Sequence, residues 1–248
     1  MTVSSGPRSG ARRPRSAHPG EPNEVRAHPL GKLAYLARRN PGLSREQFIR
    51  RWRQHGALAM SLPRWDSIGR YAQCDCLPVP PGLSRASQQY DGIGMVWFTD
   101  SDPGSRADRE RMRADERETF STYVDEVALI LTERAGWGGY GLVKANHFIA
   151  RPHDLSRDEF MTSWLESDIG RGPRASLVAG YMRNEVAAGG RPGCRLEFDA
   201  YDEYWFESGD ALSEYFSGGS PDPLGLPWID SERSVLVVTN ELVLYDFL

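Results

Sequence analysis

Of the five histidines in the chain, His55 has the setting best suited to chemistry. Imidazole is the side chain whose ordinary pKa falls near neutrality, so a histidine at a helix end beside a cavity can act as general base or acid. The structural alternative is a cap, held where the helix dipole favours an imidazolium. Asp91 and Asp199 precede apolar strands. Turned inward, such an acid would be pushed toward its neutral form by desolvation and could take a proton from an enolisable carbon or a phenol; turned outward, it would bond loop amides. Tyr71 could donate to an enolate oxygen or pack with its hydroxyl tied to backbone. His147 stands 112 residues after Tyr35, in the equivalent strand position of a repeat, which makes the two a candidate cavity-facing pair.

That repeat organises the chain. Leu43-Ser44-Arg45-Glu46-Gln47-Phe48, with Trp52 and His55-Gly56 after it, returns as Leu155-Ser156-Arg157-Asp158-Glu159-Phe160 with Trp164 after it. Ser44 with Gln47 and Ser156 with Glu159 fit capping boxes, and the flanking Leu and Phe fit a hydrophobic staple, so each copy opens a helix. Phe48, Trp52 and His55 fall at i, i+4 and i+7, on the face turned toward the core, and Gly56 is placed to end the helix. Where the first copy has His55, the second has Ser167.

Strands are expected at 32–39, 68–76, 90–98 and 127–132, a helix over 106–124, and a joint at Gly136-Trp137-Gly138-Gly139. The same order then recurs: strand 141–151, helix 156–166, strands near 178–187 and 195–206, a short helix near 209–216 and strand 234–246. Alternation puts Asp91, Ile93, Met95 and Trp97 on one strand face and Gly92, Gly94, Val96 and Phe98 on the other. Strand, helix, strand, strand, helix, strand is the split βαβ pattern of a ferredoxin-like unit. The expected class is therefore α+β, with a disordered Pro-, Gly-, Ser- and Arg-rich leader at 1–30, a first unit at 31–135 and a divergent second unit at 140–248. Two such sheets packed face to face would enclose a barrel-like space, the expected place for a ligand.

Composition narrows the partners. A net charge of −4 gives no basic surface for nucleic acid or an anionic membrane, and no apolar run reaches the roughly 18 residues of a membrane span. Three cysteines, Cys74, Cys76 and Cys194, are too few and too oddly spaced for a disulfide framework or a zinc site, which favours a reducing, cytoplasmic setting and no metal. Nucleophile-elbow, Walker and Rossmann signatures are missing.

Pro41 to Phe48, Trp52, His55-Gly56, Gly69-Arg70-Tyr71, and Tyr90-Asp91-Gly92 with Trp97-Phe98 together resemble the EthD family of the dimeric α/β-barrel superfamily. The resemblance covers residues 31–134; the second half keeps Leu155 to Phe160, Trp164, Tyr181, Asp199 and Trp205. It implies two tandem ferredoxin-like units forming an intrachain dimeric α/β-barrel, a monomeric pseudo-dimer able to self-associate further through strand edges. Superfamily relatives include polyketide cyclases, cofactor-free monooxygenases, decarboxylases, isomerases and some haem proteins. The expectation is an enzyme needing no cofactor and acting on a small, oxygenated, aromatic polyketide-like molecule by cyclisation, dehydration or decarboxylation. His55, Asp91 and Tyr71 would be catalytic, and Tyr35, Trp52, Trp97, His147 and Asp199 would contact substrate. A cofactor-free monooxygenase and a non-catalytic binding protein are the alternatives; for a haem, His55 or His147 would be the axial candidates.

Overall fold

A computed structural model describes residues 31–248, apart from 82, 84, 100–105, 138–140, 168–173, 189–192, 218–223 and 247–248. The leader expected at 1–30, and Gly138 and Gly139 of the expected joint, lie outside the described residues. In chain order the first half is β1 (Lys32–Ala37), α1 (Arg45–Met60), β2 (Ile68–Cys76), β3 (Gly92–Phe98), α2 (Arg106–Thr119) and β4 (Ala128–Trp137). The second is β5 (Val143–Ile149), α3 (Arg157–Glu166), β6 (Gly180–Val186), β7 (Ala200–Phe206), α4 (Gly209–Ser217) and β8 (Val235–Asp246). Among the described residues, no helix is long and apolar enough to cross a membrane.

Both helices that open the repeat are fixed by their first four residues. Ser44 Oγ accepts the Gln47 amide while Gln47 Oε1 accepts the Ser44 amide, and Ser156 with Glu159 repeats the exchange. A cap of this kind is worth about 1 kcal/mol. Gly56, expected to end α1, lies inside it and is buried. A Cβ there would stand 2.9 Å from Gln73 and 3.1 Å from the Tyr71 ring, so this glycine serves close packing of helix on sheet; the helix runs on to a cap at Ser61, ahead of Pro63. α2 stops at Thr119, short of the expected Val124. β7 begins at Ala200 instead of 195, and β4 continues through Trp137, paired to β6 across the expected joint.

The sheet order is β1-β3-β2-β8-β5-β7-β6-β4, closed and antiparallel throughout. Within each half the order is that of a ferredoxin-like unit. The halves meet through their outer strands, β2 with β8 and β4 with β6, so the two units close the α+β intrachain barrel expected from the sequence, their sheets joined at both edges. Closure pairs every described strand on both sides, which removes the free edges through which sheets otherwise associate.

The barrel interior, the expected ligand space, is a packed core. Ala34, Leu36, Cys74, Ile93, Met95, Trp97, Leu131, Phe148 and Tyr201 fill it, and the cysteines are free thiols. Among these side chains lies a buried ionic cluster spanning both halves. Lys32 Nζ binds Glu203 and stands 3.5 Å from Glu133; Lys144 Nζ lies 2.6 Å from Glu203 and 2.5 Å from Glu241. Glu241 also takes Arg70, 3.2 Å away on β2. The two lysines are repeat equivalents, each over the ring of an equivalent tryptophan: Lys32 over Trp97 and Lys144 over Trp205. Glu203, bonded to both, has Met95 as its counterpart in the first half.

Candidate active site

With the barrel interior filled, open space lies on the opposite face of the sheet, under the helices of the first half. A cavity of about 320 Å³ there is lined by Tyr35, His55, Trp65, Tyr71, Met112 and Glu116, among others. The volume is at the small end of ligand sites. α1 delivers His55 to it, because Phe48 and Trp52 on the same face stack on each other at 5.4 Å and seat the helix on the sheet.

His55, 3% exposed, donates from Nδ1 to Asp115 Oδ2 on α2, 2.8 Å away, and packs edge-on against Phe120. Arg51, 3.0 Å from Asp115 Oδ1, and the Thr119 hydroxyl hold that carboxylate in place. The hydrogen bond from His55, with Arg51 behind it, keeps the Asp115 carboxyl below its ordinary pKa. A carboxylate can only accept, so it fixes the proton of neutral His55 on Nδ1 and leaves Nε2 as the basic nitrogen.

Tyr35 and Tyr71 bring their hydroxyl oxygens within 3.3 Å of each other. Trp52 Nε1 donates to Tyr35 Oη at 3.0 Å, and Gln73 Nε2 donates to Tyr71 Oη at 2.7 Å. The orientation of the Gln73 amide follows from Arg53, which donates to its Oε1 and also pairs with Asp75. Two hydroxyl protons thus remain for one tyrosine–tyrosine bond, and one is left over for the pocket. Burial raises both phenol pKa values, Tyr35 well above the usual 10, so the pair stays neutral and donating. Gly94 makes room for it: a Cβ there would fall 2.1 Å from the Tyr35 ring.

The second half builds the same layer with other groups. At the place of Gly94 stands Asp202, whose carboxylate takes the hydrogen bonds of Trp164 Nε1 (3.0 Å) and Tyr181 Oη (3.1 Å) that Tyr35 handles in the first half. Burial raises the Asp202 pKa to about 6, against the pull of Arg183. Arg183, at the place of Gln73, spans Tyr181 Oη, Leu165 O and Ser167 O. α4 lays Leu212, Tyr215 and Phe216 on the sheet where α2 presents polar side chains. A recess of about 130 Å³ is left beside Ser167, Tyr181 and Arg183, and Ser167 Oγ bonds to Trp164 O.

Of the residues expected to contact substrate or react, the structure gathers His55, Tyr71 and Tyr35 in one pocket. Trp52 stands behind them as a donor to Tyr35. Asp91 lies elsewhere: its carboxylate accepts the Arg39 amide at 2.9 Å and pairs with the Arg39 guanidinium at 2.6 Å, clamping the end of β1. Asp199 does the same with the Arg151 amide and side chain and with Arg157. Both carboxylates turn to loop donors because the strand position after them, not their own, faces the helices. Trp97 is inside the barrel, donating to Glu133 at 2.9 Å.

His147 shares the helix-facing side with Tyr35 but lines neither the pocket nor the recess. It is 2% exposed, its Nδ1 has no hydrogen-bond partner, and burial pushes its pKa down to about 3. A base whose folded pKa lies below its unfolded value of about 6.5 adds stability above that pH and loses it as pH falls. His147→Leu is therefore expected to flatten the fall in unfolding free energy between pH 7 and 4.5 by about 2 kcal/mol, measured by urea titration of both proteins. An unchanged slope would show that His147 accepts a proton without unfolding.

Asp115, Gln73, Arg53 and Glu116 escaped the sequence reading. Only the helical spacing of Arg109, Met112, Arg113 and Glu116 (i, i+3, i+4, i+7) marks them as one face of α2; that Asp115 meets His55 is set by how α2 packs on α1. Among the described residues, no three His, Cys, Asp or Glu side chains converge as a metal site.

Residues 40–125 match the model of the EthD domain. Similar solved structures include a candidate monooxygenase from Lactobacillus acidophilus NCFM, at 10% identity and a TM-score of 0.43, covering 87% of this chain and 95% of that one. A candidate chlorite dismutase, TA0507, aligns at 9% identity and a TM-score of 0.49, over 85% and 94% of the two chains. An anthrone oxidase-like protein aligns at 11% and 0.44, over 88% and 94%. No curated protein matches the sequence.

Proposed function

From an EthD domain in the first half of an intrachain α/β barrel, we propose that the protein is an enzyme of small, oxygenated, aromatic polyketide-like molecules. It works by acid–base chemistry in the first-half pocket. The observation that carries this reading is the convergence on one cavity of an oriented imidazole and a neutral hydroxyl donor, His55 with Asp115 and Tyr71 with Tyr35.

His55 Nε2 takes a proton from carbon next to a carbonyl, and the bond electrons move onto the carbonyl oxygen. The spare tyrosine proton hydrogen-bonds that developing oxyanion, an interaction stronger in the transition state than in the ground state. The enolate carbon then adds to a second carbonyl of the same molecule, and the imidazolium returns its proton to the new alkoxide; loss of water completes an aromatic ring. With a β-keto acid, the same donors would stabilise the enolate released with CO2. The apolar walls, Leu33, Val96, Phe98 and Met112, suit a flat ring system and keep water from competing for these hydrogen bonds.

The test is the mass of the product. A substrate recovered by native mass spectrometry of the purified protein and incubated with it should lose 18 or 44 mass units, as water or CO2. Gain of an oxygen atom would replace this reaction with cofactor-free oxygenation. A ligand bound without any change in mass would make the chain a carrier.

A further inference from the structure

The pocket holds a second polar point that acid–base chemistry at His55 leaves unused. Glu116, on α2, is 8% exposed and lines the cavity with His55, Tyr35 and Tyr71. Val124 lines it too, and donates its backbone amide to Glu116 Oε2 at 3.1 Å. Among the described residues, Glu116 Oε1 has no hydrogen-bond or ion-pair partner. Its neighbours on α2 are committed elsewhere: Arg113 to Asp125 at 3.4 Å and to the face of Tyr123, Asp115 to His55 and Arg51. The residue also borders a surface groove beside Phe120 and Tyr123, and so forms part of the wall between cavity and groove. A buried carboxyl oxygen without a donor costs free energy, and burial shifts this carboxyl toward its neutral form. A phenolic hydroxyl delivered by a ligand supplies the missing donor.

We propose that Glu116 is a specificity residue of this pocket: its Oε1 receives a ring hydroxyl of the substrate, while a carbonyl of the same molecule meets His55 and the tyrosine pair. The molecules selected are hydroxyaryl carbonyl compounds, held by two polar contacts with the ring against Val96, Phe98 and Met112. This rests on the reading of the pocket as the substrate site, and adds a residue and the oxygen that it recognises. Glu116 stands outside the proton transfer itself.

The full chain can be titrated near pH 8 with acetophenone, with 3- and 4-hydroxyacetophenone and with the methyl ethers of both phenols. Binding is followed by NMR at the indole of Trp65, which lines the cavity. These compounds share one ring and one carbonyl, and the phenols alone have a proton to give. At least one phenol should bind about 10-fold more tightly than acetophenone, the weight of a hydrogen bond to a charged acceptor, and its ether should show none of that gain. Glu116→Gln keeps an oxygen for the Val124 amide and turns an NH2 group toward the ligand. It should unfold at the parent's midpoint, bind acetophenone as the parent does, and hold phenol and ether within about threefold of each other. Glu116→Leu should bring phenol and acetophenone to parity. Phenols that bind no better than acetophenone, or a full preference surviving in Glu116→Gln, would overturn the inference and leave the pocket as the substrate site. Binding of none of the compounds would overturn both. The acid–base reading alone would fall if the hydroxyl preference held while His55→Ala turned over substrate as fast as the parent.

Discussion

His55→Ala is expected to lower turnover on the order of 10²-fold or more, the usual weight of a positioned acid or base, while leaving the fold and substrate affinity near those of the parent. Asp115→Asn should follow it closely, because an amide can donate to Nδ1 and shift the ring proton to the nitrogen that must be basic. The two carboxylate contacts that surround Asp115, Arg51 and Thr119, remain in the His55 variant, so its loss would report chemistry and not collapse of α2. Ser167→Ala, the matched change in the second half, should leave turnover within a few-fold, since Arg183 and the α4 aromatics occupy the corresponding space. The readout is kcat and KM for each variant on the substrate identified from the native protein. An inactive, folded Ser167→Ala beside a fully active His55→Ala would move the site to the second half. Asp91→Asn is expected to act through stability and not through kcat, because its carboxylate holds Arg39 at the end of β1.

Glu203→Gln should be the most destabilising of the conservative changes in the barrel, at about 3–5 kcal/mol, because it leaves two buried ammonium groups short of a counter-charge. Burial alone would raise the Glu203 pKa, but Lys144 and Lys32 overcome it and hold the carboxyl at about 2. The depressed value means that Glu203 adds stability above its unfolded pKa of about 4.3, which is lost as pH falls through that value toward 2. Chemical unfolding at pH 7 should show the deficit, and the gap between parent and variant should narrow on acidification from pH 5 to 3. Replacing the whole cluster by apolar residues of matched volume would be far milder than removing one member. A Glu203→Gln protein as stable as the parent at pH 7 would mean that water or a neighbouring acid replaces the lost charge.

The pattern of local order was fixed along the chain. Capping boxes and alternating strands need only neighbours a few residues apart, so the two ferredoxin-like units, the helix carrying His55 and the equivalent strand positions of Tyr35 and His147 were legible, although His147, expected to face a cavity, lines neither the pocket nor the recess. The EthD-like motifs pointed to Tyr71 for the same reason. What lay beyond reach were relations between elements. The barrel itself was expected, but whether its interior stays open depends on how side chains from both halves meet there, and they turned the expected ligand space into a core around Lys32, Lys144 and Glu203. That filling moved the open volume to the helix side of the sheet. Asp115 became the partner of His55 through the packing of α2 on α1, at a separation of 60 residues, and Asp91 left the site because it has the parity of Ile93 and Met95, on the barrel side, while the pocket opened on the helix side with Gly92 and Gly94. A sequence specifies each side chain and its local periodicity; the direction in which a charged group finds its counter-charge, and the volume left unfilled beside it, follow only when distant segments are brought into contact.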